Sequence, residues 1–326
     1  MYSTKVSIFG AGGTGGEIAE LLVERGYEEV SLIDVQRDMA EGKALDIVQS
    51  GAMIGSDTRV LGGSDAALAT GADVVVITAG IGRKPGLNRE DLIATNALVM
   101  QQISRSISVL APNATVIVLT NPADILARIV FEETGFPSNR VMAQGGILDS
   151  ARLSHQISRL AGVSHKQIHS MVLGGHGDHM VPVRQLASVN GVPALNLLSE
   201  EDWADAVERT RFGGGEIMEK FKTHGAAVTP AYAVVAMIDA LHSPVSQIWP
   251  ISVRSGGAYG LPEDVFIGLP VRISRVGIED VLELPIDAAE REALKRSAAS
   301  MQATYETWKN TTARDSFNRA SRVQSR

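Results

Sequence analysis

Apolar positions along the first half of the chain repeat a strand, turn and helix rhythm. Lys5 to Phe9 alternates into a glycine cluster, and Glu17 to Arg25 carries apolar residues at helical spacing until Gly26 stops it. A second short apolar run, Val30 to Ile33, ends in Asp34, and Met39 to Val48 again has helical periodicity, which completes a βαβ unit. Val74 to Thr78 and Thr115 to Leu119 are apolar, largely β-branched runs of the kind found in parallel strands buried on both faces, with a long helical segment from Asp91 to Leu110 between them. This alternation predicts an α/β fold built on a doubly wound (Rossmann) parallel sheet.

From about Asp149 the texture changes. One helix is followed by short strands around Ile168 to Leu173, a helical middle from Glu201 to His242 and a strand-rich stretch from Val245 to Leu284. A mixed α+β second domain is expected, with the division at 1–147 and 148–326. Asp287 to Trp308 has helical periodicity and an acidic first turn, Asp287, Glu290 and Glu292, which suits the positive end of a helix dipole. Beyond Asn310 the arginines stand among few apolar residues, and a solvated or frayed tail is expected there.

Composition narrows the function classes. A hydrophobic share of 44% with 21% charged residues is that of a globular protein with a large core. The net charge of −7 disfavours non-specific contact with nucleic acid or anionic lipid and leaves any anionic substrate to be held by placed arginines. The absence of cysteine excludes disulfides, thiolate metal sites and a cysteine nucleophile. With no apolar stretch near the ~20 residues of a membrane span, and Met1 to Lys5 passing straight into a strand, a cytoplasmic location is expected. No H-E-x-x-H or similar cluster points to a metal, no G-x-S-x-G to an esterase, and no carboxylate pair to a glycosidase.

Gly10-Ala11-Gly12-Gly13-Thr14-Gly15 contains the G-x-G-x-x-G pattern of dinucleotide-binding turns. Among 32 glycines the pattern alone is weak, and its place between a strand and a helix makes it specific. Asp34, ending the next strand, stands where a carboxylate accepts both hydroxyls of the adenosine ribose, which favours NAD over NADP. His176 is flanked by glycines in Gly174-Gly175-His176-Gly177-Asp178-His179, which leaves its imidazole open to exchange a proton with a carbonyl oxygen; a plain loop histidine is the alternative. Asp149 and Arg152 project from one helix face: the carboxylate is placed to orient His176 and the guanidinium to grip a substrate carboxylate, unless the two merely form an i, i+3 ion pair. Gly80 to Arg89 is glycine-rich and basic, either a mobile anion-binding loop or a solvated one. Asn121 stands at the carboxyl end of a parallel strand, where ligands of such sheets gather, or caps the next helix.

With these motifs in this order, the chain resembles the lactate/malate dehydrogenase family over nearly its whole length, and within it the lactate-dehydrogenase-like malate enzymes. The resemblance implies that Gly10, Gly12, Gly15 and Asp34 hold NAD, with Asn96 and Asn121 on the cofactor side, Asn121 also touching substrate. It implies that His176 exchanges the proton, oriented by Asp149, that Arg152 binds one carboxylate, and that Arg89 polarises the reacting carbonyl. Arg83 falls at the position that separates malate from lactate enzymes, where a cation matches the second carboxylate of oxaloacetate. Three departures stand out: Gly82 replaces a common proline, Thr14 an apolar residue or asparagine, and Gly225 to Pro230 follows its own pattern, in which Ala227 is assigned to the pocket wall. The resemblance further implies a homodimer or homotetramer acting on a small dicarboxylate in the tricarboxylic acid cycle. The alternatives are a lactate or other 2-hydroxy-acid dehydrogenase and a non-catalytic NAD sensor.

Overall fold

The computed structural model describes residues 2–82 and 89–324, with side chains described over 4–82 and 90–312. The first half alternates β1 (Tyr2–Phe9), α1 (Gly13–Glu24), β2 (Tyr27–Ile33), α2 (Arg37–Ile54), β3 (Arg59–Gly63), β4 (Val74–Ile77), α3 (Arg89–Leu110), β5 (Thr115–Val118), α4 (Ala123–Thr134) and β6 (Val141–Ala143). All adjacent pairs among these six strands are parallel, in the order β3-β2-β1-β4-β5-β6. The order reverses between β1 and β4, and doubly wound sheets bind ligands at the carboxyl edge of that reversal. Helix α1 lies on one face of the sheet, with α3 and α4 on the other, so the β4 side chains Val74, Val75, Val76 and Ile77 are all buried.

The second half begins with α5 (Gly146–Ala161), then β7 (Ile168–His169), β8 (Val172–Gly174), β9 (Met180–Pro182), β10 (Ser188–Val189) and β11 (Val192–Pro193). Helices α6 (Glu200–Phe221) and α7 (Val228–His242) follow, then β12 (Gln247–Arg254), β13 (Phe266–Ser274), β14 (Gly277–Val281) and α8 (Ala288–Gln324). Most of the antiparallel strands do not form a detached layer: β12 pairs with β6 at Ser252 and Ala143, so among the described residues one eleven-stranded sheet runs through both halves, while β7, β10 and β11 make a separate three-stranded sheet. Helix α7 packs on α1 and thereby roofs the first βαβ unit. The glycine turn and the elements of the second half therefore meet along one edge of the sheet.

Two features differ from the sequence-based expectation. Helix α8 does not stop near Asn310 but continues to Gln324, so the expected tail is helical. No glycine or proline occurs from Ala288 to Arg326, and a helix without a breaker continues on its own backbone bonds even where it has little to bury. Strand β3, Arg-Val-Leu-Gly-Gly, escapes periodicity because its glycines serve close packing: a Cβ on Gly62 would stand 2.2 Å from the Ala40 carbonyl oxygen of α2.

Candidate active site

The chain leaves β1 at Phe9 and turns tightly. Gly10 donates its N–H to the Ile33 carbonyl (2.7 Å) and has φ +108°, and a Cβ there would lie 2.5 Å from Thr78 Oγ1. A Cβ on Gly15 would come within 1.9 Å of the Gly10 carbonyl oxygen, so helix α1 packs this closely on the turn only with glycine. No side chain caps α1 at Gly12, and a Cβ on Gly12 would meet nothing within 4 Å. Uncapped N–H groups at a helix N-terminus form an anion cradle suited to a pyrophosphate.

Asp34 stands beside this turn, pinned by its own neighbourhood. Its Oδ2 accepts from the Ala11 N–H (2.8 Å) and its Oδ1 from the Gln36 N–H (2.9 Å), which fixes the carboxylate at the end of β2. Lys43, which the sequence reading did not single out, reaches from α2 to donate to the Gly12 carbonyl (2.7 Å) and adds a cation to the cradle. A glycine cradle, a positive end and a fixed carboxylate together fit a dinucleotide.

Farther along the same edge, Asp149 lies in the first turn of α5 and is 1% exposed. Its Oδ2 accepts from His176 Nδ1 at 2.9 Å, while Oδ1 faces Arg152 NH1 at 3.6 Å. A carboxylate on Nδ1 fixes the tautomer that directs Nε2 outward, and the imidazole keeps 23% of its surface exposed. The Asp149 charge, more than burial, decides the basicity of His176: its proton affinity is raised above the ordinary value despite the opposing effects of desolvation and Arg152. Burial lowers the proton affinity of Arg152, a shift opposed by Asp149, but a guanidinium remains a cation at any working pH.

The loop carrying His176 is held from behind by α8, where the Gly175 N–H donates to Ser297 Oγ (2.8 Å) and Ser300 bonds His179 Nε2 (3.0 Å). His179 is thus committed to α8. A second buried carboxylate also reaches this loop, because Asp124 Oδ2 accepts the backbone N–H of His176 at 3.2 Å. That contact joins residues far apart in the chain and left no signal in local spacing.

Asn121 precedes a cis bond to Pro122 at the carboxyl end of β5 and is exposed. Asn96 is fully buried behind it: Oδ1 accepts from the Ile81 N–H (2.8 Å), and Nδ2 donates to the carbonyls of Ile81 (3.1 Å) and Asn121 (2.9 Å). In this structure Asn96 therefore braces the ends of two loops. Ala227 N-caps α7, and its methyl lies 3.6 Å from where a Cβ on Gly13 would stand, beside the glycine turn. Arg83 and the side chain of Arg89 lie outside the described residues. Gly213 and Gly214 of α6 face Arg152, and a Cβ on Gly214 would stand 3.3 Å from both terminal nitrogens of its guanidinium.

Comparison with known proteins places this arrangement among relatives. The NAD-binding domain of lactate/malate dehydrogenase matches residues 4–143, and the α/β C-terminal domain of the same family matches residues 147–312. The chain is 42% identical over 299 residues to the malate dehydrogenase of Thioalkalivibrio sulfidiphilus, covering 91% of this chain and 97% of that protein. It is 40% identical over 300 residues to the malate dehydrogenase of Methanosarcina barkeri, covering 92% and 97%. The crystal structure of Cryptosporidium parvum malate dehydrogenase superposes with a TM-score of 0.91 at 34% identity, covering 95% of this chain and all (100%) of the other. A lactate dehydrogenase from the same organism, solved with lactic acid and the nicotinamide cofactor, gives 0.90 at 33% identity over 95% of this chain and 99% of its own. With both domain profiles matched in order around a glycine turn and a histidine–aspartate pair, the chain belongs to the lactate/malate dehydrogenase family.

Proposed function

We propose that the protein catalyses reversible hydride transfer between NAD and the malate/oxaloacetate pair. The observation that carries this reading is the His176–Asp149–Arg152 cluster: a proton-exchanging imidazole, its orienting carboxylate and a carboxylate-binding guanidinium held together on α5 and the loop after β8. NAD, when bound, supplies or accepts the hydride. The cradle of Gly10, Gly12 and Gly15 with Asp34 holds the cofactor, and Asn96 acts on it through Asn121. His176 Nε2 gives a proton to the carbonyl oxygen in reduction and removes one from the hydroxyl in oxidation. Arg152 binds the carboxylate next to the reacting carbon, Arg83 the distal one, and Arg89 polarises the carbonyl. The preference for malate over lactate is supported by Arg83 and by the malate dehydrogenases among the relatives.

The proton role fixes a pH signature. His176 must start protonated for oxaloacetate reduction and neutral for malate oxidation, and Asp149 raises its proton affinity. In steady-state profiles, kcat/KM for reduction is expected to fall as pH rises through the His176 midpoint and that for oxidation to rise through the same midpoint. Profiles with the same slope in both directions contradict the assignment.

Helix α6 offers a second test, because Gly213, Gly214 and Gly215 sit in its interior, where each glycine is less stable than alanine by roughly 0.5–1 kcal/mol. Gly214→Ala is expected to raise Tm while raising KM for oxaloacetate several-fold, because its methyl presses on the Arg152 guanidinium. Gly215, where a Cβ meets nothing within 4 Å, is the control: Gly215→Ala is expected to raise Tm and leave KM unchanged. Equal KM values in the two variants contradict the Arg152 assignment.

The division into a cofactor domain at 1–147 and a substrate domain at 148–326 is part of this proposal, as is association into a homodimer or homotetramer. Large apolar side chains exposed on three helices support association: Leu45 and Met53 on α2, Phe212 and Phe221 on α6, and Tyr232 on α7. No described helix is long and apolar enough to cross a membrane. A cytoplasmic location, a role in the tricarboxylic acid cycle and the absence of nucleic-acid and membrane partners complete the proposal.

A further inference from the structure

We propose that Asp124 is a positioning residue for His176, a second buried carboxylate that holds the backbone of the histidine while Asp149 holds its ring, so that carboxylates from two helices reach this one residue. The inference rests on the reading of His176 as the proton partner. Asp124 lies in the first turn of α4, is 4% exposed, and accepts the His176 N–H through Oδ2 at 3.2 Å. Its other oxygen, Oδ1, is buried and meets no partner at full hydrogen-bond geometry among the described residues; the buried Ser252 hydroxyl of β12 is the neighbouring donor that acts on this carboxylate.

A buried, half-satisfied carboxylate is costly, and an ordinary loop anchor needs no charge. A neutral amide of the same shape accepts the same backbone bond. The carboxylate becomes favourable when a cation forms beside it, and the cation that forms here is His176. Burial, the largest influence, and the like charge of Asp149 raise the proton affinity of Asp124 above the ordinary value; the Ser252 hydroxyl and the positive charge and backbone N–H of His176 oppose that rise. Among the described residues, the charged groups facing His176 are Asp149 and Arg152 from α5 and Asp124 from α4, and Asp124 favours the imidazolium. Protonation of His176 and ionisation of Asp124 therefore support each other.

The test is Asp124→Asn, which keeps volume and the acceptor oxygen and removes only the charge. The His176 titration is followed by NMR of its Cε1–H, with Asp149→Asn as the control. The His176 midpoint is expected to fall by about one pH unit in Asp124→Asn, at the low end for loss of a nearby opposite charge. The descending limb of kcat/KM for oxaloacetate reduction is expected to move by the same amount, with the Kd for NADH unchanged. A midpoint that falls in Asp149→Asn but not in Asp124→Asn overturns the proposal and leaves His176 as the proton partner. Turnover that survives His176→Asn overturns that underlying reading instead. The wild-type protein supplies a readout that needs no variant: the 13C resonance of the Asp124 carboxyl is expected to inflect at the His176 midpoint, and a flat trace through that pH overturns the proposal.

Discussion

Replacing His176 by asparagine is expected to lower kcat in both directions by ~10²–10⁴-fold, the contribution of a positioned proton donor and acceptor. Asparagine retains an amide N–H that can donate to Asp149 Oδ2, the acceptor now 2.9 Å from Nδ1, so the packing around the 1%-exposed carboxylate is largely kept. What is lost is Nε2, the nitrogen that faces outward and carries the exchangeable proton. The glycine cradle and Asp34 lie on other elements, so the Kd for NADH, followed by fluorescence, is expected to stay at its wild-type value. Loss of turnover together with loss of NADH binding would instead mean that the substitution had disturbed the fold.

Exchanging Arg83 for glutamine is expected to have a comparable effect that acts on one substrate only. Oxaloacetate carries a second carboxylate into a site from which water is displaced, and stranding one member of such a charge pair costs about 2–5 kcal/mol, or roughly 30- to 5,000-fold in kcat/KM. Pyruvate has no second carboxylate, so its kcat/KM is expected to hold or rise. The ratio of the two substrates, measured on one preparation, cancels errors in active-enzyme concentration. An unchanged ratio removes Arg83 from the account and leaves Arg152, seated against Asp149 at 3.6 Å, as the carboxylate-binding group.

The parts of this molecule that were legible in its sequence are those whose physics is local. Val74 to Ile77 announces a strand buried on both faces because every residue is apolar and β-branched, and Gly10 and Gly15 announce a tight turn because a Cβ at either position would collide with its neighbours. Asp149 and Arg152 were legible as a pair because three residues along a helix return to the same face. Whether that pair was a surface ion bridge or part of a site was not legible, since the deciding contact, His176 Nδ1 to Asp149 Oδ2, spans two elements.

The residues that escaped are joined by tertiary contact alone. Lys43 meets the Gly12 carbonyl across α1 and α2, and Asp124 meets His176 between α4 and the loop after β8. Asn96 shows a different limit. Its position in α3 was marked for a contact with cofactor, yet its amide is spent on the backbone of Ile81 and Asn121, which the helix periodicity does not reveal. The length of α8 escaped because absence of a helix breaker is a weaker signal than presence of an apolar stripe.

The assignment to malate and oxaloacetate is tested most directly by following NADH oxidation at one pH with oxaloacetate, pyruvate and 2-oxoglutarate in parallel, and with NADPH replacing NADH as the cofactor control. Fast turnover is expected with oxaloacetate and NADH, little with the other two acids, and little with NADPH because the carboxylate of Asp34 repels a 2′-phosphate. A preference for pyruvate, or NADH binding without turnover of any of the three acids, would contradict it.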